Sequence, residues 1–218
     1  MTLFRRLFFV LVPLGLAVSL AWHPPGGEDV YEGVRGDVDE WLFVHTALLV
    51  SMPLLGIAVL WLLNGLERTA ATVSRVAIVF FLVFYTAYEL TVGVNTGILV
   101  DYANGLPPAE QGAVAGAIQD LNRNPIVSEP ASISLIVGFF GWVVAMLAAA
   151  VAFRRAGASW PITVLVAGAA VFAVHPPPVG PVGLASFVAA AMLIERWRAR
   201  EARSVEASPK PAALAPSV

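Results

Sequence analysis

Apolar residues in this chain come in long unbroken runs rather than in the one-face spacing of half-buried soluble helices. A bilayer core of about 30 Å needs roughly 20 apolar residues in a helix. Six runs meet or approach that length: residues 3–22, 41–63, 76–100, 132–153, 160–174 and 182–194. The second, third and fourth are long enough to cross outright. The last two are short, and the stretch from His175 to Pro181 with Pro176, Pro177 and Pro178 separates them. Proline lacks a backbone donor and clashes with the preceding turn, so three in a row end a helix. Two short helices joined by a tight proline turn are predicted there, with a re-entrant pair as the alternative. The pattern as a whole predicts an all-α, polytopic membrane bundle of about six transmembrane helices over residues 1–203. A disordered tail is expected over 204–218, where proline, serine and alanine dominate.

Between the runs lie two long polar connections. Residues 23–40 are acidic, with Glu28, Asp29, Glu32, Asp37, Asp39 and Glu40, and read as a solvated loop without the ligand spacing of an EF-hand. In the second connection, Pro107-Pro108 can open a helix over 109–121 that places Val114, Ala117, Ile118 and Leu121 on one face. This predicts a short amphipathic helix in the long outer loop, lying on the membrane or capping the bundle. Asn122 to Pro125 ends it.

Charge orients the chain. Eleven of the 13 basic residues fall at the N-terminus, in the second and fourth connections and in the tail; only Arg35 and Arg123 fall on the other side. Lys and Arg are retained in the cytoplasm during insertion, so both termini are predicted cytoplasmic. The first run, with Ser19-Leu20-Ala21 at its end, also has the form of a secretory signal. A retained first span is the preferred expectation, because its length fits a crossing.

Composition sharpens the class. The chain of 218 residues is 58% hydrophobic and 13% charged, against about 25% charged in soluble domains, and its mean hydropathy is +0.79. The absence of cysteine excludes disulfides, thiolate metal sites and thiol nucleophiles. A net charge of −2 without a basic patch on a polar face argues against nucleic acid. Arginine far outnumbers lysine, and alanine and valine abound, which suggests a GC-rich bacterial genome and hence a plasma membrane.

Two sets of residues could carry chemistry. The chain has three histidines, His23, His45 and His175, and the topology puts all of them at the outer ends of helices. Neutral imidazole is the commonest metal ligand. Three converging rings could hold zinc or copper, with Glu40, Asp101 or Glu129 completing the set; haem is the poorer variant, since only His45 lies within a helix. The rings serve otherwise as interfacial helix stops. A weak internal echo accompanies them: Ala17 to Gly27 lines up with Ala170 to Gly180, and both carry His-Pro-Pro.

The second set lies in the third run. At 100° per residue, Tyr85, Tyr88, Glu89, Val92, Asn95 and Thr96 share about a third of the helix surface. An ionisable group in mid-bilayer costs about 2.5–3.5 kcal/mol on insertion scales and faces a partner or a wet cavity. Glu89 is the candidate acid or base, and Tyr85, Tyr88, Asn95 and Thr96 are candidate ligand-binding groups. Gly138, Gly141 and the alanines of the later runs allow close helix approach and are scaffold. Three functions are compatible with this pattern: a small membrane protein with an outward-facing polar pocket for a small molecule, lipid or metal; a membrane enzyme acting on a lipid or isoprenoid-like substrate through Glu89; or a structural subunit of a membrane complex.

Overall fold

The protein's computed structural model describes residues 3–24, 27–67, 69–126, 128 and 131–206, without the side chains of residues 205 and 206. Eight helices follow in chain order among the described residues: α1 (Leu3–Leu20), α2 (Val30–Val34), α3 (Val38–Leu62), α4 (Thr69–Asn104), α5 (Pro108–Asn122), α6 (Ile133–Arg155), α7 (Trp160–Ala173) and α8 (Val179–Glu206). Helices α1, α3, α4, α6 and α8 are long and apolar enough to cross a membrane. At 1.5 Å per residue α7 spans only about 21 Å, and its last turn, from Ala169, tightens to 3₁₀ geometry.

The bundle is apolar inside and out. Phe9, Leu48, Met52, Leu55, Phe81, Trp142, Phe153 and Phe172 fill its core, while Leu11, Val50, Val83, Phe140 and Val164 stand exposed on its flanks. An apolar exterior of this extent suits lipid and not water. Tight contact between α4 and α6 is made possible by glycine. A Cβ on Gly138 would stand 2.7 Å from the Tyr85 nitrogen, and one on Gly141 2.6 Å from that of Phe81. Ser74 and Trp142 bridge to neighbouring helices, donating to the carbonyls of Ala145 and Ala169.

The helix ends sort into two groups. At one end Arg5 of α1 donates to the Trp61 carbonyl and to Glu195, and Arg198 of α8 donates to the carbonyls of Leu62 and Asn64. Trp197 packs edge-on against Phe153 of α6 there. At the other end α1 and α7 finish and α3 begins. Above that end sits a second, smaller core of Tyr31, Val34, Trp41, Val100, Ala103 and Ile118. It joins α2 and α5 to the protruding end of α4, and so forms a cap.

Several sequence expectations change. The last helix is not short: it runs from Val179 through an arginine-rich stretch to Glu206, because polar residues beyond the apolar run are good helix formers. The predicted tail from 204 therefore begins as helix, and residues 207–218 lie outside the described residues. The acidic connection 23–40 contains α2, whose Tyr31 and Val34 are buried in the cap. Helix α5 turns Val114, Ala115 and Ile118 toward this core, whereas Ala117 is exposed.

Candidate functional site

Helix α4 departs from α geometry where the site lies. Its segments Phe81–Tyr85 and Glu89–Asn95 are π-helical. A π turn takes in one residue more than an α turn, and such turns are frequent at functional sites. Phe81, Tyr85, Glu89, Gly93 and Gly97 are all buried, at intervals of four. In an ideal α-helix that spacing drifts by about 40° per step; the two wider segments cancel the drift and keep one face turned inward.

Glu89 is at the centre of the cluster, 1% exposed. Its Oε2 accepts from Nδ1 of His45, at 2.9 Å, and its Oε1 lies 3.7 Å from Nδ1 of His175. His45 is itself 3% exposed. The ring of His23 stands with its centroid 5.1 Å from that of His45 and 5.5 Å from that of His175. Three imidazoles from the ends of three helices therefore surround one buried carboxylate. His23 and His175, the two histidines of the internal echo, meet at this place.

One tautomer assignment satisfies every contact. Pro24 O can only accept, as does Glu89 Oε2 when the carboxyl is ionised, and with that charge state His23 and His45 donate from Nδ1, over 2.8 and 2.9 Å. The Tyr85 hydroxyl lies 2.7 Å from Nδ1 of His175 and 3.2 Å from the Ala173 carbonyl. With the hydroxyl proton on Ala173 O, His175 also donates from Nδ1. His23 and His45 are thus anchored through Nδ1 and keep a lone pair on Nε2. The Nε2 atoms of His23 and His45 are buried without a hydrogen-bond partner, as is Oε1 of Glu89. Burial pulls the His23 and His175 imidazoles down from their ordinary range, His175 to about 4, against the opposing effect of Glu89.

Trp41 and Gly93 were not singled out by sequence. The Trp41 ring packs on His45 at 4.3 Å between centroids, contacts His23 at 5.7 Å, and donates from Nε1 to the Gly93 carbonyl at 2.8 Å. The i, i+4 spacing of Trp41 and His45 was the only legible signal. Gly93 is required by packing: a Cβ there would overlap the ring of His45.

The polar stripe read at 100° per residue is divided. Tyr85 and Glu89 enter the cluster, and Tyr88 is half-buried with its ring 5.9 Å from that of Tyr85. Thr96 is buried but accepts from Asn122, tying α5 to α4. Asn95 is exposed, because the π turns rotate it off the inner face. Glu40 and Asp101 are exposed, and Glu129 lies outside the described residues; the carboxylate beside the histidines is Glu89. Among the described residues no group of three or more His, Asp or Glu side chains stands close enough together to hold a metal ion as the side chains are placed. The arrangement is hydrogen-bonded, and an ion at its centre requires the rings to turn about their side-chain torsions.

Comparisons with protein family models, with curated proteins and with solved structures give no match to this chain.

Proposed function

We propose that this is a six-crossing protein of a bacterial plasma membrane that holds a transition-metal ion, copper or zinc, among His23, His45 and His175 beneath its cap. Both ends of the chain are on the cytoplasmic side in this reading, and α5 belongs to an outer cap. Its topology is supported by the eleven-to-two split of basic residues and by the meeting of the α1 start with the α8 end through Arg5 and Glu195. That meeting supports an even number of crossings, with α7 as the sixth and shortest.

The observation that carries the metal reading is the pair of buried, unpartnered Nε2 atoms on His23 and His45. A buried polar atom without a partner calls for a missing water or ion. Ligating histidines almost always donate their other ring nitrogen to a carboxylate, a carbonyl or water, and that fixes the tautomer. His23 and His45 have such an anchor in the Pro24 carbonyl and the Glu89 carboxylate, and Glu89 would act from behind His45. Nitrogen ligands without thiolate suit zinc and copper. Rings in contact at 5.1 Å leave no slot for a porphyrin between them, so a bare ion is favoured over haem.

A second reading has one observation of its own. Oε1 of Glu89 has no partner and lies 3.7 Å from His175, so the carboxylate could pass a proton between two imidazoles. An enzyme acting on lipid gains less support. The apolar groove between α4 and α6, about 520 Å³ and lined by Val76, Phe80, Ile136 and Phe140 among others, includes no member of the cluster.

Titration of the purified, chelator-treated protein in detergent with Cu⁺, Cu²⁺ and Zn²⁺ tests the proposal. One equivalent should bind, and His23→Ala, His45→Ala and His175→Ala should each weaken binding about 10-fold or more, the usual scale for losing even a supporting partner. Stoichiometric binding that survives all three substitutions, or no binding at all, overturns the metal reading and leaves the proton-transfer reading.

A further inference from the structure

At the opposite end of the bundle the arginines divide into two sets. Arg5 and Arg198 are occupied. Both bear on Glu195, at 2.8 and 3.6 Å, and both donate to main-chain carbonyls at the end of α3 or just beyond it. The side chain of Glu195 is 9% exposed, and its charge is already matched. Arg6, Arg196, Arg200 and Arg203 are exposed and make no ion pair among the described residues. Arg196, Arg200 and Arg203 follow one another at i, i+4 and i+7, so they share one face of α8. With Arg6 of α1 they line a groove of about 560 Å³; Met192 and Leu193 supply its apolar part, and Glu195, already paired with Arg5 and Arg198, also borders it.

We propose that this groove binds the phosphate of an anionic phospholipid headgroup. The guanidinium fork matches phosphate oxygens two at a time, and four unpaired guanidinium groups around one groove favour a dianionic or closely spaced anionic group. Basic pockets between membrane helices are recurrent sites for such headgroups. Its place at the ends of two membrane-length helices selects a lipid over a free ion. Met192 and Leu193 lead from the groove into the apolar part of α8, and exposed Leu3 and Leu7 flank Arg6 on α1. A headgroup seated on the arginines can therefore lay its acyl chains along surface that is already apolar. The site is independent of the histidine cluster.

Native mass spectrometry of the detergent-solubilised full chain tests it, with phosphatidylglycerol, cardiolipin and phosphatidylcholine added in turn and inorganic phosphate as competitor. A discrete adduct is expected with the anionic lipids and not with phosphatidylcholine, persisting in millimolar phosphate. The triple variant Arg196→Gln/Arg200→Gln/Arg203→Gln should lower its occupancy roughly tenfold or more, since each basic residue near an anionic headgroup contributes about fivefold. Arg154→Gln/Arg155→Gln removes charge from the end of α6 and should leave the adduct unchanged. Equal loss in the two variants, equal adducts with phosphatidylcholine, or displacement by inorganic phosphate each overturns the proposal.

Discussion

Gly93 and His45 can be set against each other in a double-mutant cycle that probes the site directly. Gly93→Ala has two opposed effects. Alanine is favoured over glycine within a helix by about 1 kcal/mol. The added Cβ, however, falls on the His45 side chain, to which its three nearest atoms all belong. Overpacking of this kind costs about 1–3 kcal/mol. The net result in the native background is therefore a change between about zero and a loss of about 2 kcal/mol. In a His45→Ala background the two ring contacts are gone and only the 2.8 Å approach to the Cβ of residue 45 remains, so Gly93→Ala should cost less there than in the native background. The coupling energy, about 1–3 kcal/mol, is well above the roughly 0.5 kcal/mol expected of non-interacting positions. Reversible unfolding in mixed micelles, followed by tryptophan fluorescence, gives all four corners of the cycle. Equal effects of Gly93→Ala in both backgrounds would show that α3 and α4 do not meet there, and the placement of His45 against Glu89 would fall with it.

Other consequences can be measured on the same protein. Glu89→Gln keeps an acceptor for His45 and should cost about 1 kcal/mol, the difference between a charge-assisted and a neutral hydrogen bond, whereas Glu89→Leu strands the His45 donor and should cost about 1–3 kcal/mol; a leucine variant as stable as the glutamine one would refute the bond. Burial holds His23 and His175 neutral, so on acidification the unfolded chain takes up protons first. Stability of the metal-free protein should be full above about pH 6.5 and decline from there toward pH 4, the direction set by the extra protons of the unfolded state; a gain in stability over that window contradicts the burial of these rings. Helix α1 contributes Phe9, Leu16 and Leu20 to the core, so the purified protein should keep it, and an intact mass lacking the first 21 residues would show otherwise.

The sequence by itself determined the helical membrane class, because apolar runs of bilayer length are a one-dimensional property. The strong runs became α1, α3, α4 and α6 with ends shifted by a few residues, and the proline stretch did separate α7 from α8. Glu89 also stood out, since a lone carboxylate in an apolar run is costly wherever the helix packs. Which partners offset that cost was a matter of tertiary structure. His23, His45 and His175 come from positions up to 152 residues apart, and only the packing of α3 on α4, of α1 on α3 and α8, and of α7 on α6 and α8 brings their rings around one carboxylate. The stripe on α4 was misread at Asn95 because 100° per residue holds for an α-helix, and π geometry leaves no mark in composition. Trp41 and Gly93 were hidden for the same reason: a tryptophan's indole donor and a glycine's missing side chain acquire meaning only from what the fold presses against them.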